Sequence, residues 1–172
     1  MSELRTNTIT PVSNSGAITI NNPCFHVTKN QDQTIPDATI AAVTFESVTD
    51  GGESGTIINK GGLFASNKFT VTSLTTGIYC FYYSLFTSSS GTTSDTYSYL
   101  RKNGSGQMQT SHPMFIGHSY QYMMQGTAII NLDTADDYVE VVIDCDQNGG
   151  NSLLVNYNAN YFRTDFGGFR IR

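Results

Sequence analysis

Three histidines, three cysteines and two aspartate-rich stretches are the side chains through which this chain could do chemistry, so their spacing comes first. His26, His112 and His118 stand apart, and none belongs to a His-Glu-x-x-His pair of zinc ligands. Cys24, Cys80 and Cys145 are odd in number and widely spaced. A zinc site favours closely paired cysteines and a disulfide framework an even count, so the expectation is three reduced thiols. Asp133, Thr134, Asp136 and Asp137 cluster, and Asp144-x-Asp146-x-Asn148-Gly149 begins like a calcium loop. Such a loop closes with a glutamate at its twelfth position, where Val155 stands. Solvated turns are the expectation, with no metal and no cofactor. Asn103-Gly104-Ser105-Gly106 is glycine-rich, but a phosphate cradle needs a helix N-terminus after it, and a turn between strands fits better. No Gly-x-Ser-x-Gly elbow is present. Serine–histidine–aspartate triads and paired glycosidase carboxylates are assembled in space, so spacing alone does not test them. No catalytic residue is assigned.

Composition narrows the partners. The 172 residues carry a net charge of −5, and only 13% are charged, against about 25% in ordinary globular chains. Nine scattered Lys and Arg residues make no stripe for a phosphate backbone, so nucleic acid is excluded as the main partner. No apolar run approaches the roughly 20 residues that cross a bilayer, so membrane insertion is not expected. Met1-Ser2-Glu3-Leu4-Arg5 shows no apolar signal core, and synthesis in a reducing cytoplasm is expected.

The elements that must position any site read as β-strands. The pattern predicts ten, over 38–49, 56–64, 68–72, 77–86, 95–101, 107–115, 120–132, 138–144, 153–158 and 167–171, punctuated by Gly, Asn and Ser turns. Regular short strands of this kind indicate an all-β sandwich or barrel. Phe81-Tyr82-Tyr83-Ser84-Leu85-Phe86 is aromatic on both faces, which predicts that both are buried. Tyr97, Tyr99, Tyr120, Tyr122, Tyr157 and Tyr161 enlarge that population, and burial between identical subunits would hide it. Residues 1–22 differ: Leu4, Thr6, Ile9, Pro11, Ile18 and Ile20 lie in two short alternating runs that cannot build a core of their own. They are expected to form an anchoring arm ahead of a head at 23–172.

From about Pro23 to Arg172 the chain resembles the globular head of complement component 1q, a relative of tumour necrosis factor. Pro23-Cys24-Phe25-His26-Val27 is similar to that family's opening segment and Val43-Thr44-Phe45-Glu46 to its first long strand. Asn59, Gly61, Gly62 and Phe64 resemble its Asn-and-Gly turn, and Phe69 the aromatic that follows. Gly77-Ile78-Tyr79-Cys80-Phe81 matches its Gly-x-Tyr-x-Phe core strand, whose continuation here includes Tyr83. Leu132 to Val141, with Val139 inside, resembles a Leu-x-x-x-Asp-x-Val segment, with an Ala and an Asp where Gly-Asp is usual. Phe166-Gly167-Gly168-Phe169-Arg170-Ile171 resembles the closing strand. The resemblance implies a ten-stranded jelly roll assembling as a homotrimer, with these aromatic, glycine and valine positions in its core and three-fold interface.

The arm resembles another group. Residues 5–11 and 15–20 look like the N-terminal segments of bacteriophage fibre and other virion-surface proteins, and no Gly-x-y collagen stalk precedes the head. The expectation is a non-enzymatic phage virion protein made in the host cytoplasm. It would be a tail fibre or receptor-binding tip, or a capsid decoration (cement) protein. Its partners would be itself, other virion proteins through residues 1–22, and a host surface glycan or protein. The alternative is a secreted ligand-binding module of complement or cytokine type.

Overall fold

In the computed structural model, which describes residues 22–29, 31–45, 58–89, 96–105, 110–111, 121–146, 150–156, 158–159 and 162–171, every regular element is a β-strand. The strands are β1 (Cys24–Thr28), β2 (Gln33–Ile35), β3 (Thr39–Ala42), β4 (Ile58–Lys60), β5 (Phe64–Ala65), β6 (Lys68–Thr70), β7 (Gly77–Ser89) and β8 (Tyr97–Lys102). They continue with β9 (Thr110–Ser111), β10 (Gln121–Leu132), β11 (Tyr138–Cys145), β12 (Leu153–Val155), β13 (Asn158–Ala159), β14 (Phe162–Arg163) and β15 (Asp165–Arg170). Two antiparallel sheets of seven and six strands face each other as a jelly roll, with β13 and β14 forming a small separate pair. The expected arm, with Leu4, Thr6, Ile9, Pro11, Ile18 and Ile20, lies outside the described residues, as do Tyr120, Tyr157, Tyr161, His112 and His118.

The long strand β7 organises the seven-stranded sheet. One side bonds β10 along its length, from Gly77↔Leu132 to Ser88↔Gln121. The other side bonds β15 through residues 79–84 and β12 through residues 87–89. Beyond β15 come β1 and then β4. In the six-stranded sheet β11 takes the centre, with β8 on one side and β6 and β3 in succession along the other.

Among the described residues, fifteen strand segments stand where the sequence predicts ten. Three segments, β1, β2 and β14, lie outside the ten ranges, and two expected strands, 56–64 and 153–158, are each divided in two. The expected strand 56–64 breaks at Gly61 and Gly62 (φ 93° and 64°), a region that glycine enters without steric penalty. Ser66 and Asn67 (φ 50° and 65°) then make a two-residue turn with the twist of a β-hairpin. Strands β1 and β2 were not among the ten. They are short, and a two-residue alternation such as Phe25/Val27 is a weak signal.

The inner faces pack rings on rings. Phe25 stacks on Phe64 and Phe69 at centroid distances of 5.2 and 4.8 Å and meets Phe166 edge-on at 4.8 Å. Phe69 meets Phe81 at 5.5 Å and Tyr79 at 5.1 Å. Phe45, Tyr83, Val139 and Val141 complete this buried cluster. Its polar tips are bonded: Tyr79 donates its hydroxyl to the Thr75 carbonyl, and Tyr83 to the Ser98 carbonyl at 2.8 Å. Asn59 is buried with them, its Nδ2 donating to the Phe64 carbonyl at 3.0 Å and its Oδ1 accepting the Phe64 N–H at 3.1 Å.

The expected aromatic side chains divide between the core and the outer faces. Tyr79, Tyr83 and Tyr122 belong to the chain's own core cluster, while Phe86 and Tyr99 are buried outside it. Of the run Phe81–Phe86, Tyr82 is left half-buried on the far side.

Candidate functional site

Side chains alternate across a strand, so the register of the seven-stranded sheet defines its outer face residue by residue. Tyr79, Phe81, Tyr83 and Leu85 point inward, which turns Ile78, Cys80, Tyr82 and Ser84 outward. Following the pairing sideways from Cys80 gives the row Lys60–Cys24–Phe169–Cys80–Ile129. Following it from Tyr82 gives Ile58–His26–Gly167–Tyr82–Thr127. Beyond that lies Thr28–Asp165–Ser84–Gln125, and on the opposite flank the Ile171 N–H donates to the Ile78 carbonyl.

The face is apolar at its centre. Ile58, Ile129, Phe169 and Ile171 are 44, 69, 46 and 52% exposed, and they are four of the six exposed large apolar side chains among the described residues. Cys24 and Cys80, both free thiols, flank Phe169 in the first row. On the outer face of the other sheet Arg101 reaches the buried Glu140 with Nε and Nη2, each 3.0 Å from Oε1.

One polar group sits inside the apolar face. Tyr82 lies flat across Gly167, where a Cβ would overlap its ring and hydroxyl. In that position its hydroxyl reaches His26 Nδ1 at 3.1 Å. Burial pushes the Tyr82 hydroxyl above its usual value, with Asp165, Cys24 and Cys80 adding to the effect. Burial likewise pushes the Asp165 carboxyl up, against the opposing pull of His26, Arg163 and the Ser84 N–H. His26 and Tyr82 thus form a hydrogen-bonded pair on this face, with the Asp165 carboxyl on the same face.

The residues expected for core and interface divide between the two faces. Phe25, Phe45, Phe64, Phe69, Tyr79, Phe81, Tyr83, Val139, Val141 and Phe166 are buried in the chain's own core, and Gly168 is buried between rings. Gly77 is half-buried at the start of β7, while Phe169 stands on the outer face. The sequence reading missed Ile58, Ile129, Ile171, Cys24, Cys80, His26, Tyr82 and Gly167 as one surface. The available signal was the alternation around Cys80 and Tyr82, but the strands that complete the rows are far apart in sequence.

The acidic cluster at 133–137 serves the fold. Asp137 accepts from Asn103 Nδ2 at 2.7 Å and the Thr134 N–H at 3.1 Å and pairs with Lys102 at 3.0 Å, tying the β8–β9 turn to the β10–β11 turn. Burial raises its pKa, but these bonds and the Lys102 charge outweigh it and hold the carboxyl at about 2. Asp136, in the glycine-favouring region at φ 70°, closes the same turn. No group of three or more His, Cys, Asp or Glu gathers among the described residues. Burial pushes the Cys145 thiol up to about 11, which keeps it unreactive.

Two facing antiparallel sheets with this strand order define an all-β jelly roll of the complement 1q and tumour necrosis factor type. The chain is similar to the globular domain of zebrafish complement 1qA protein, at 19% identity and a TM-score of 0.55, over 87% of this chain and 98% of that one. It is also similar to murine APRIL, at 15% identity and a TM-score of 0.57, over 87% and 99% of the two chains. At these identities the likeness is one of fold. No protein-family model matches the sequence, and no curated protein matches it.

Proposed function

We propose that the jelly-roll head assembles as a homotrimer through the outer face of its seven-stranded sheet and serves as a non-enzymatic binding or structural module on a phage virion. The observation that carries the self-association is the row Cys24–Phe169–Cys80–Ile129, continued by Ile58 and Ile171. Apolar side chains gathered on one sheet face favour a covered state, because isolated soluble domains rarely keep such a patch in water. A second copy is the occupant that needs no further component. Three copies is the number implied by the resemblance to the complement 1q and tumour necrosis factor heads.

The virion assignment draws on the sequence of residues 5–20, and anchoring through residues 1–22 follows from it. The head is then the displayed part, as a fibre tip or a capsid decoration.

Light scattering on the full chain is expected to give three times the 18.8 kDa of one copy. Ile129→Lys and Phe169→Lys, on the open face, should leave a folded protein of single-copy mass. Native protein that stays at single-copy mass would refute the assembly. For the anchor, a chain lacking residues 2–22 should fail to join virions. Its incorporation would refute that half of the proposal.

A further inference from the structure

We infer that residues 16–20 of one copy add as a strand to the open edge of β10 in the next copy, so that assembled heads are tied together by exchanged strands. This rests on the proposed self-association and names a contact that would hold it.

Strand β10 is 12 residues long and pairs with β7 in unbroken register from Gln121 to Leu132. Among the described residues no strand bonds its other edge. Exposed edges invite pairing with another chain, and proteins guard them with short strands, charges, prolines or bulges. The other edge strands of the two large sheets, β2, β3, β4, β5 and β9, are short, at two to four residues each. Strand β4 also ends on Lys60. Strand β10 has none of these guards: its sequence holds no charged residue and no proline, and its pairing shows no bulge.

One side-chain contact shows which backbone groups face outward. Lys102 Nζ, reaching across from β8, donates to the Asn131 carbonyl at 2.8 Å, so that carbonyl is turned away from β7. Antiparallel pairing turns the polar groups of alternate residues the same way. Met123, Gln125, Thr127 and Ile129 therefore present their N–H and C=O groups along the edge, ready for a further strand.

The run at 16–20 suits that edge. It is uncharged and alternates, with Ile18 and Ile20 on one side and Ala17 and Thr19 on the other. Beside β10, the two isoleucines lengthen the apolar outer face next to Ile129, which is 69% exposed. The chain's own β10 is out of reach. Strand β1, which follows the run, is separated from β10 by β15 and β7, so a strand added outside β10 lies four spacings from Cys24, about 19 Å. The four residues from Ile20 to Cys24 extend at most about 14 Å. The edge of a second copy carries no such limit. Each copy then gives its run to the next and receives one from the last, a head-to-tail contact of the kind that closes into a ring. Residues 1–15 stay available for the anchor.

Photo-crosslinking of the full chain tests this, with benzoylphenylalanine in place of Thr127, whose side chain is exposed on β10. After irradiation, denaturing electrophoresis should show a species at twice the 18.8 kDa of one chain, and peptide mapping should place the link at residues 16–20. A second variant leaves the head untouched: Ile18→Pro with Thr19→Pro removes two N–H groups from the run. In sedimentation velocity it should need about tenfold more protein to assemble than the native chain. A link at 16–20 that stays at the mass of one chain overturns the exchange. So does a link between copies that joins β10 to any other segment, or native-like assembly of the proline variant. Each of these leaves self-association standing. A native chain that sediments as a single copy overturns both.

Discussion

Gly167 and Gly168 are neighbours in β15, yet alanine at the two positions is expected to do different damage. A Cβ at Gly168 points into the core, 2.7 Å from Phe81 Cδ1, 2.9 Å from Phe25 Cε1 and 3.0 Å from the Cys80 carbonyl oxygen. Both rings are fixed by Phe166, which meets Phe25 at 4.8 Å and Phe81 at 6.2 Å, and the carbonyl belongs to a strand that β15 is bonded to. None of the three can retreat without moving something else, and overpacking of this kind costs about 1–3 kcal/mol. For a chain of 172 residues a loss of about 2 kcal/mol lowers Tm by roughly 4–8 °C. At Gly167 the added atom meets the far end of the Tyr82 side chain on the open face, and that ring can swing into solvent. Gly167→Ala should therefore cost less than about 1 kcal/mol of fold stability, in the range of ordinary surface changes. It should instead displace Tyr82 from His26 and weaken assembly. Calorimetric melting of both variants, at a concentration where each is a single copy, separates the two effects. Equal destabilisation by both, or a neutral Gly168→Ala, would refute the assignment of the two faces.

Three further outcomes follow from the buried polar groups. Asp137 is held at about 2 against an ordinary 3.8, so its contribution is present above about pH 4 and lost as pH falls towards 2. Asp137→Asn should remove about 2 kcal/mol at neutral pH and flatten the acid limb of the stability curve, as read by denaturant titration. Lys29 is buried, with Nζ donating to the Thr44 carbonyl at 2.8 Å, Thr44 Oγ1 at 2.9 Å and Gln33 Oε1 at 3.1 Å. Burial, only partly offset by Asp32, lowers its pKa from 10.5 to about 8. The unfolded chain then holds more protons between those values, so stability should rise over that alkaline interval, by up to about 3 kcal/mol, and Lys29→Met should abolish the rise. Asn59→Ala strips partners from both the N–H and the carbonyl of Phe64, and denaturant unfolding should register a loss of about 2–4 kcal/mol.

Several features of this chain are local, and local features can be read without a fold. Aromatic and β-branched runs in residues 77–86 and 138–144 mark β7 and β11, because such side chains suit a pleated strand. Asn103-Gly104 announces its own turn, since both residues tolerate positive φ. Low charge and scattered Lys and Arg set the expectation against phosphate-backbone binding before any strand is placed. What tertiary structure alone decided is which face each ring occupies. Tyr82 and Tyr83 are indistinguishable by composition, but the pairing of β7 with β10 and β15 buries Tyr83 over Gly126 and lays Tyr82 on Gly167 outside. The outer surface likewise joins Ile58, Cys24, Phe169, Cys80 and Ile129, residues separated by up to most of the chain. Their adjacency exists only in the hydrogen-bond register between strands, and that register depends on long-range packing that no run of neighbouring residues encodes.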